Sequence, residues 1–194
     1  PKDVQFATGK YVPDNKVDKL DLLPHPRKDK TAIKEAAEAI SKAKKPVLYV
    51  GGGVINSGPR ATNLLRELAS ETNFPVTATL MGLGCYPASG ESWLGMLGMH
   101  GTYEANMAMH GCDLMICIGA RFDDRITGRI DAFSPNSIKV HIDIDPSSIN
   151  KNVNVDIPIV GDIAEVLSEI LTIWRNKGGK TNDTEVNNWW KTIT

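Results

Sequence analysis

Fully apolar runs recur along this chain, each ending in glycine or charge, with helical patterns between them. Val47-Leu48-Tyr49-Val50, led in by Pro46, and Leu114-Met115-Ile116-Cys117-Ile118 hold no charged position, the pattern of strands buried on both faces. Residues 75–80 and 138–145, with Pro158-Ile159-Val160, predict three further strands. Ile33, Ala36, Ala37 and Ile40 recur at helical spacing behind Asp29 or Thr31 as a cap. Leu64, Leu65 and Leu68 mark a second helix, capped by Asn56 or Ser57 with Pro59 in its first turn. Thr102 caps a third, carrying Ala105 and Met109 inward. Asp162 caps a fourth, with Ile163, Val166, Leu167, Ile170, Leu171 and Trp174 on its apolar face. Residues 46–80 form one β-α-β unit, whose right-handed crossover makes its strands parallel. The alternation predicts an α/β fold: a three-layer, doubly wound, Rossmann-like sheet of five or six mainly parallel strands.

Two stretches break the rhythm. Residues 81–101 are glycine-rich and apolar, and predict a long loop packed over the core or against a ligand. Residues 185–193 predict a short helix whose exposed Trp189 and Trp190 await a neighbour. Residues 1–30, rich in proline and mixed charge around Leu22-Leu23-Pro24-His25-Pro26, predict an extended linker from a preceding domain. That leaves 31–176 as the folded domain and 177–194, opening with Gly178-Gly179, as a tail toward a following domain. A chain that opens at Pro1 is read as a piece of a longer protein.

Composition narrows the function. With 194 residues and a net charge of −1, bulk charge points to neither nucleic acid nor an anionic membrane. No apolar stretch reaches membrane-span length and the amino terminus is not a signal peptide. Cys85, Cys112 and Cys117 lack metal spacing and fit a reducing, cytoplasmic setting.

The chemistry gathers where strands end. In open α/β sheets ligands bind at the carboxyl edge. Gly51-Gly52-Gly53 follows the first strand, Thr79-Leu80-Met81 the second, and Gly161-Asp162 the last. Gly119-Ala120-Arg121-Phe122-Asp123-Asp124-Arg125 follows the most apolar strand, with arginine forks suited to phosphate or carboxylate. Asp143 and Asp145 stand where a ribose would find acceptors. A solvated, salt-bridged loop competes for the Arg121–Arg125 stretch, and helix capping for Asp162. The dinucleotide fingerprint is incomplete: Gly51-x-Gly53 lacks its third glycine, with Asn56 in that place, and no acidic residue ends the second strand.

Gly95-Met96-Leu97-Gly98-Met99-His100-Gly101, Gly119-Ala120-Arg121-Phe122-Asp123-Asp124-Arg125 and His141-Ile142-Asp143-Ile144-Asp145-Pro146 together resemble the central domain of the acetohydroxyacid (acetolactate) synthase catalytic subunit, in the thiamine-diphosphate enzyme family. The resemblance spans residues 1 to 176. It implies a DHS-like NAD/FAD-binding domain holding FAD, which has no net redox role in that reaction. The whole enzyme would condense pyruvate with pyruvate or 2-oxobutyrate, losing carbon dioxide, toward the branched-chain amino acids. Thiamine diphosphate and Mg2+ would be bound by flanking domains. The activating glutamate and the Gly-Asp-Gly…Asn-Asn motif belong to those domains and have no match here, so this chain alone is expected to be inactive. The implied FAD-site residues are Gly52, Gly53, Thr79, Leu80, Met81, Leu97, Gly98, Met99, His100, Gly119, Ala120, Arg121, Asp123, Arg125, Ile126, Asp143, Ile144, Asp145, Gly161 and Asp162. Met99 and Arg125 would also lie near a substrate channel. A homo-oligomer and a regulatory subunit are the implied partners. Two alternatives compete: a structural domain with an empty nucleotide site, as in another thiamine-diphosphate enzyme, and an NAD-dependent deacetylase-like or dehydrogenase domain.

Overall fold

Six parallel strands in the order β3-β2-β1-β4-β5-β6 form one sheet in a computed structural model that describes residues 6–9 and 29–194. The strands are β1 (Pro46–Val50), β2 (Val76–Ala78), β3 (Trp93–Met96), β4 (Leu114–Ile118), β5 (Ile138–Asp143) and β6 (Ile157–Val160). The helices are α1 (Lys30–Lys42), α2 (Gly52–Asn56), α3 (Pro59–Thr72), α4 (Tyr103–Gly111), α5 (Asp124–Thr127), α6 (Ile163–Asn176) and α7 (Asp183–Ile193). The linker predicted over 1–30 lies almost wholly outside the described residues.

Every residue of β1 and β4 is buried, as their unbroken apolar runs require of central strands covered on both faces. Leu48, Val50, Ile116 and Ile118 pack with α1, α3 and α6 in one core cluster. Val47, Tyr49, Met115 and Cys117 pack with α4 and α7 in the other. The helix caps follow local chemistry. Asp29 accepts from the backbone N–H groups of Thr31 and Ala32, Thr102 from Ala105, and Asp162 from Glu165.

Three expectations change. The predicted loop over 81–101 contains β3, which pairs with β2 across a register shift at Val76/Thr77. Gly95 sits inside β3 at φ +94°, packed on the Thr102 side chain, and that glycine disguises the strand. The single helix expected after β1 is two: Asn56 lies in α2, Ser57 is its C-cap, and Gly58 at φ +91° precedes Pro59 at the start of α3. Finally, Trp189 and Trp190 do not stand exposed. Trp189 is buried on the α4 face, its indole N–H donating to the Pro46 carbonyl at 3.0 Å, and Trp190 donates to the Asn73 carbonyl at 2.8 Å. The neighbour they fit is this domain's own sheet and α3.

This packing carries a testable consequence. Trp189→Phe keeps an apolar ring but removes the buried donor and part of the volume, which costs about 1–2 kcal/mol. For a chain of this size the melting temperature should fall by about 2–8 °C. An unchanged melting temperature would mean that α7 contributes nothing to the fold.

Candidate functional site

The strand order reverses direction between β1 and β4, and in a doubly wound sheet the crevice beyond the carboxyl ends at that point is where ligands bind. A cavity of about 660 Å3 opens there. Its walls are Tyr49, Gly52, Gly53, Ile55 and Asn56 from the β1 end, Thr79, Leu80 and Met81 beyond β2, Gly119, Ala120, Arg121, Asp123, Arg125 and Ile126 beyond β4, and Asp143, Ile144 and Ser148 beyond β5. A side pocket of about 130 Å3 shares Gly53, Asn56, Gly119, Asp143 and Ile144, and adds Ser57, Asp162 and Ile163.

Glycine at two facing positions lets the two central strand ends meet. The Gly51 N–H donates to the Ile118 carbonyl and the Gly53 N–H to the Gly119 carbonyl, both at 3.0 Å. Gly119 lies at φ +59°, and a Cβ there would stand 2.8 Å from the Gly53 α-carbon. These two amides are thus spent on joining β1 to β4, so the glycines shape the cavity floor rather than offering it those donors.

Charge comes from the loops. Arg121 is largely exposed, and its guanidinium donates to the Asp123 carboxylate at 3.3 Å. Asp143 accepts from the Asp145 N–H through Oδ1, while Oδ2 faces the His141 ring at 3.8 Å. Asp162 serves two partners, the Glu165 N–H as helix cap and the Ser57 hydroxyl at 2.7 Å. Thr79 accepts from the Gly82 N–H, turning the chain so that Leu80 and Met81 project from the rim.

Thirteen of the twenty sequence-proposed residues line the main cavity, and Asp162 lines the side pocket. The other six stand elsewhere. Asp145 caps a short turn, accepting from the Ser147 side chain and N–H, bonds that hold its carboxyl below the usual aspartate range. Gly161 is buried and donates to the Asp143 carbonyl. Leu97 is buried beneath α4, in a small separate pocket with Asn106 and Ile126. Gly98, Met99 and His100 form the turn after β3, which the Asn106 amide grips through both Gly98 backbone groups. Met99 and His100 are exposed, and the Met99 N–H donates to the Arg125 carbonyl. Tyr49, Ile55, Asn56 and Ser148 were not foreseen as lining. Tyr49 reads as core because its strand is apolar throughout. Asn56 stands in the third-glycine place of the fingerprint and reads only as a departure from it or as a helix cap, and Ile55 and Ser148 carry no local signal.

Two titratable groups lie beneath the cavity. Burial raises the Tyr49 hydroxyl far above its ordinary range. Burial also lowers His141, outweighing its bond to the Ala120 carbonyl and the nearby Asp143. All three cysteine thiols are free and buried, Cys85 and Cys112 being pushed up to about 11 by desolvation, so they act as small apolar groups.

A neutral buried histidine has a definite pH signature. Its folded pKa lies below its unfolded value of about 6.5, so only the unfolded chain takes a proton as pH falls through that value. Stability should be independent of this group above about pH 7.5. It should fall below about pH 6.5, by up to about 1.4 kcal/mol per pH unit, until the folded pKa is reached. Urea titrations at pH 7.5 and 5.5 should show this loss in wild type and a smaller one in His141→Gln. Equal losses in both would assign the pH effect to other groups.

Residues 33–170 match the thiamine pyrophosphate enzyme, central domain, and the chain belongs to that family. Within it, the chain is similar to acetolactate synthases. It is 44% identical over its whole length to the acetolactate synthase isozyme 3 large subunit of Escherichia coli (strain K12), and 46% identical to the acetolactate synthase large subunit of Haemophilus influenzae. Over 86% of its length it is 48% identical to the acetolactate synthase of Mycobacterium avium. The chain spans about a third of the length of the first two relatives.

Proposed function

We propose that this chain is the central, cofactor-binding domain of an acetolactate synthase and that its switch-point cavity holds FAD. The observation that carries the reading is the placement of Arg121, Asp123 and Asp143 around one crevice at the carboxyl ends of the two central strands. An elongated dinucleotide matches a cavity that continues into a side pocket. Arg121 would meet the pyrophosphate, Asp143 through its free oxygen would accept from a ribose hydroxyl, and the apolar rim of Ile55, Leu80, Met81 and Ile144 would face the flat rings. Bound FAD would supply no net redox step in decarboxylative condensation, so this domain's task is to bind and orient. Thiamine diphosphate and Mg2+ would be held by flanking domains in the longer protein, which would act as a cytoplasmic homo-oligomer with a regulatory subunit. No helix among the described residues is long and apolar enough to cross a membrane.

The competing structural reading, a nucleotide fold without a nucleotide, draws support from the engaged Gly51 and Gly53 amides. Titrating the chain into FAD while following flavin fluorescence separates the two. Saturable binding of one FAD per chain, with FMN and NAD binding more weakly, is the expected result. No saturable FAD signal would favour the structural reading.

A further inference from the structure

The loop that presents Arg121 and Asp123 is held in an unusual way. Three successive carbonyls, those of Ala120, Arg121 and Phe122, are each caught by a side chain from a different part of the fold. The His141 Nε2–H from β5 donates to Ala120 at 2.9 Å, the Tyr49 hydroxyl from β1 to Arg121 at 2.8 Å, and the Asn152 amide to Phe122 at 2.7 Å. The Phe122 ring is fixed by the same neighbours, 5.2 Å from the His141 ring and 5.8 Å from that of Tyr49. His141 and Tyr49 are both fully buried, and Nδ1 of His141 has no hydrogen-bond partner among the described residues. A buried polar atom left without a partner is costly. Apolar packing alone would be served by leucine here, so what the imidazole adds is its one donated bond to the loop.

We infer that His141, Tyr49 and Asn152 are positioning residues of the cofactor site, clamping residues 120–122 so that Arg121 and Asp123 on either side of Phe122 meet the ligand in one fixed geometry. The inference rests on the FAD reading for its ligand, but the clamp itself is a property of the protein alone. His141 is the decisive member, because it does not line the cavity and acts on a ligand only through groups that do. These are the loop and Asp143, whose carboxylate lies 3.8 Å from its ring. Loop exchange read without ligand isolates the first route. Tyr49 does line it, so its variant tests the clamp chiefly through backbone mobility.

The test uses the 194-residue chain and three variants. His141→Leu removes the imidazole donor and leaves the Ala120 carbonyl only the weak Cys117 thiol at 3.1 Å. His141→Gln keeps an amide N–H near the Nε2 position, and Tyr49→Phe deletes only the hydroxyl. Amide hydrogen exchange across 120–124, measured without ligand, should speed up about three- to tenfold in His141→Leu and Tyr49→Phe and stay near wild type in His141→Gln. FAD dissociation constants should rise by a similar factor in His141→Leu and be restored in His141→Gln, whatever each variant does to the melting temperature. Exchange unchanged in both His141→Leu and Tyr49→Phe would overturn the clamp, as would glutamine failing to restore what leucine loses. Should His141→Leu not fold, Tyr49→Phe decides by its loop exchange. Because exchange is read without FAD, a chain that binds no flavin defeats the functional reading and leaves the clamp to be judged separately.

Discussion

Gly51→Ala should destabilise the chain by about 3 kcal/mol or more and lower its melting temperature by at least about 6–12 °C. The added methyl would lie 2.6 Å from the Ala120 α-carbon and 2.7 Å from its Cβ, and against the Gly119 carbonyl oxygen. These neighbours are the backbone of the next central strand end, held by the Gly51 and Gly53 amides, and a methyl fixed rigidly to it, so they cannot swing aside as a flexible side chain would. Relief requires β1 and β4 to part exactly where the cavity floor is built. Gly84 is the control. It sits at φ +95° with nothing within 4 Å of an added Cβ, so Gly84→Ala should cost only the left-handed backbone penalty of about 1–2 kcal/mol. Equal losses at both positions, read by thermal unfolding, would mean that close strand approach is not what Gly51 provides.

Arg121→Ala should weaken FAD about 10- to 150-fold, the worth of one charge-assisted hydrogen bond of about 1.5–3 kcal/mol. The same change should barely move the melting temperature. The guanidinium is largely solvent-exposed, its ion pair with Asp123 is a surface pair, and such pairs contribute little to stability. Asp143→Asn should weaken FAD less, because the amide oxygen still accepts. Affinity by titration and stability by melting must be measured on the same preparations. An Arg121→Ala variant with wild-type affinity would return this arginine to the role of a solvated loop charge.

Legibility in the sequence followed the range of the interactions involved. The central strands declare themselves because burial on both faces leaves no polar residue in β4 and little room for one in β1. Asp29, Thr102 and Asp162 are readable as caps because an N-cap bonds to amides two or three residues away. The strand-end residues at 52–53, 79–81, 119–126 and 143–144 converge in space because a parallel sheet puts all carboxyl ends on one edge. Features set by distant partners were not readable. Trp189 looks unpartnered in its own helix, yet its N–H meets Pro46, far away in sequence. β3 hides behind Gly95, whose positive φ suits a loop but here serves close contact with Thr102. Leu97 to His100 belong to a motif that carries the family resemblance, while none of them lines the cavity: Leu97 is buried beneath α4, and 98–100 form a turn held by Asn106. Tyr49 reads as core and is core, but its hydroxyl also reaches the Arg121 carbonyl on the cavity wall.

On the proposed reading, FAD lies across the carboxyl ends of β1 and β4. Amide hydrogen exchange of the chain with and without saturating FAD maps this most directly. The expected footprint is slowed exchange at 51–56, 79–82, 119–126 and 143–148, with the amides of α7 unchanged. Saturable FAD binding whose protection falls outside those four segments, for instance only on the exposed turn at 98–101, would contradict that placement.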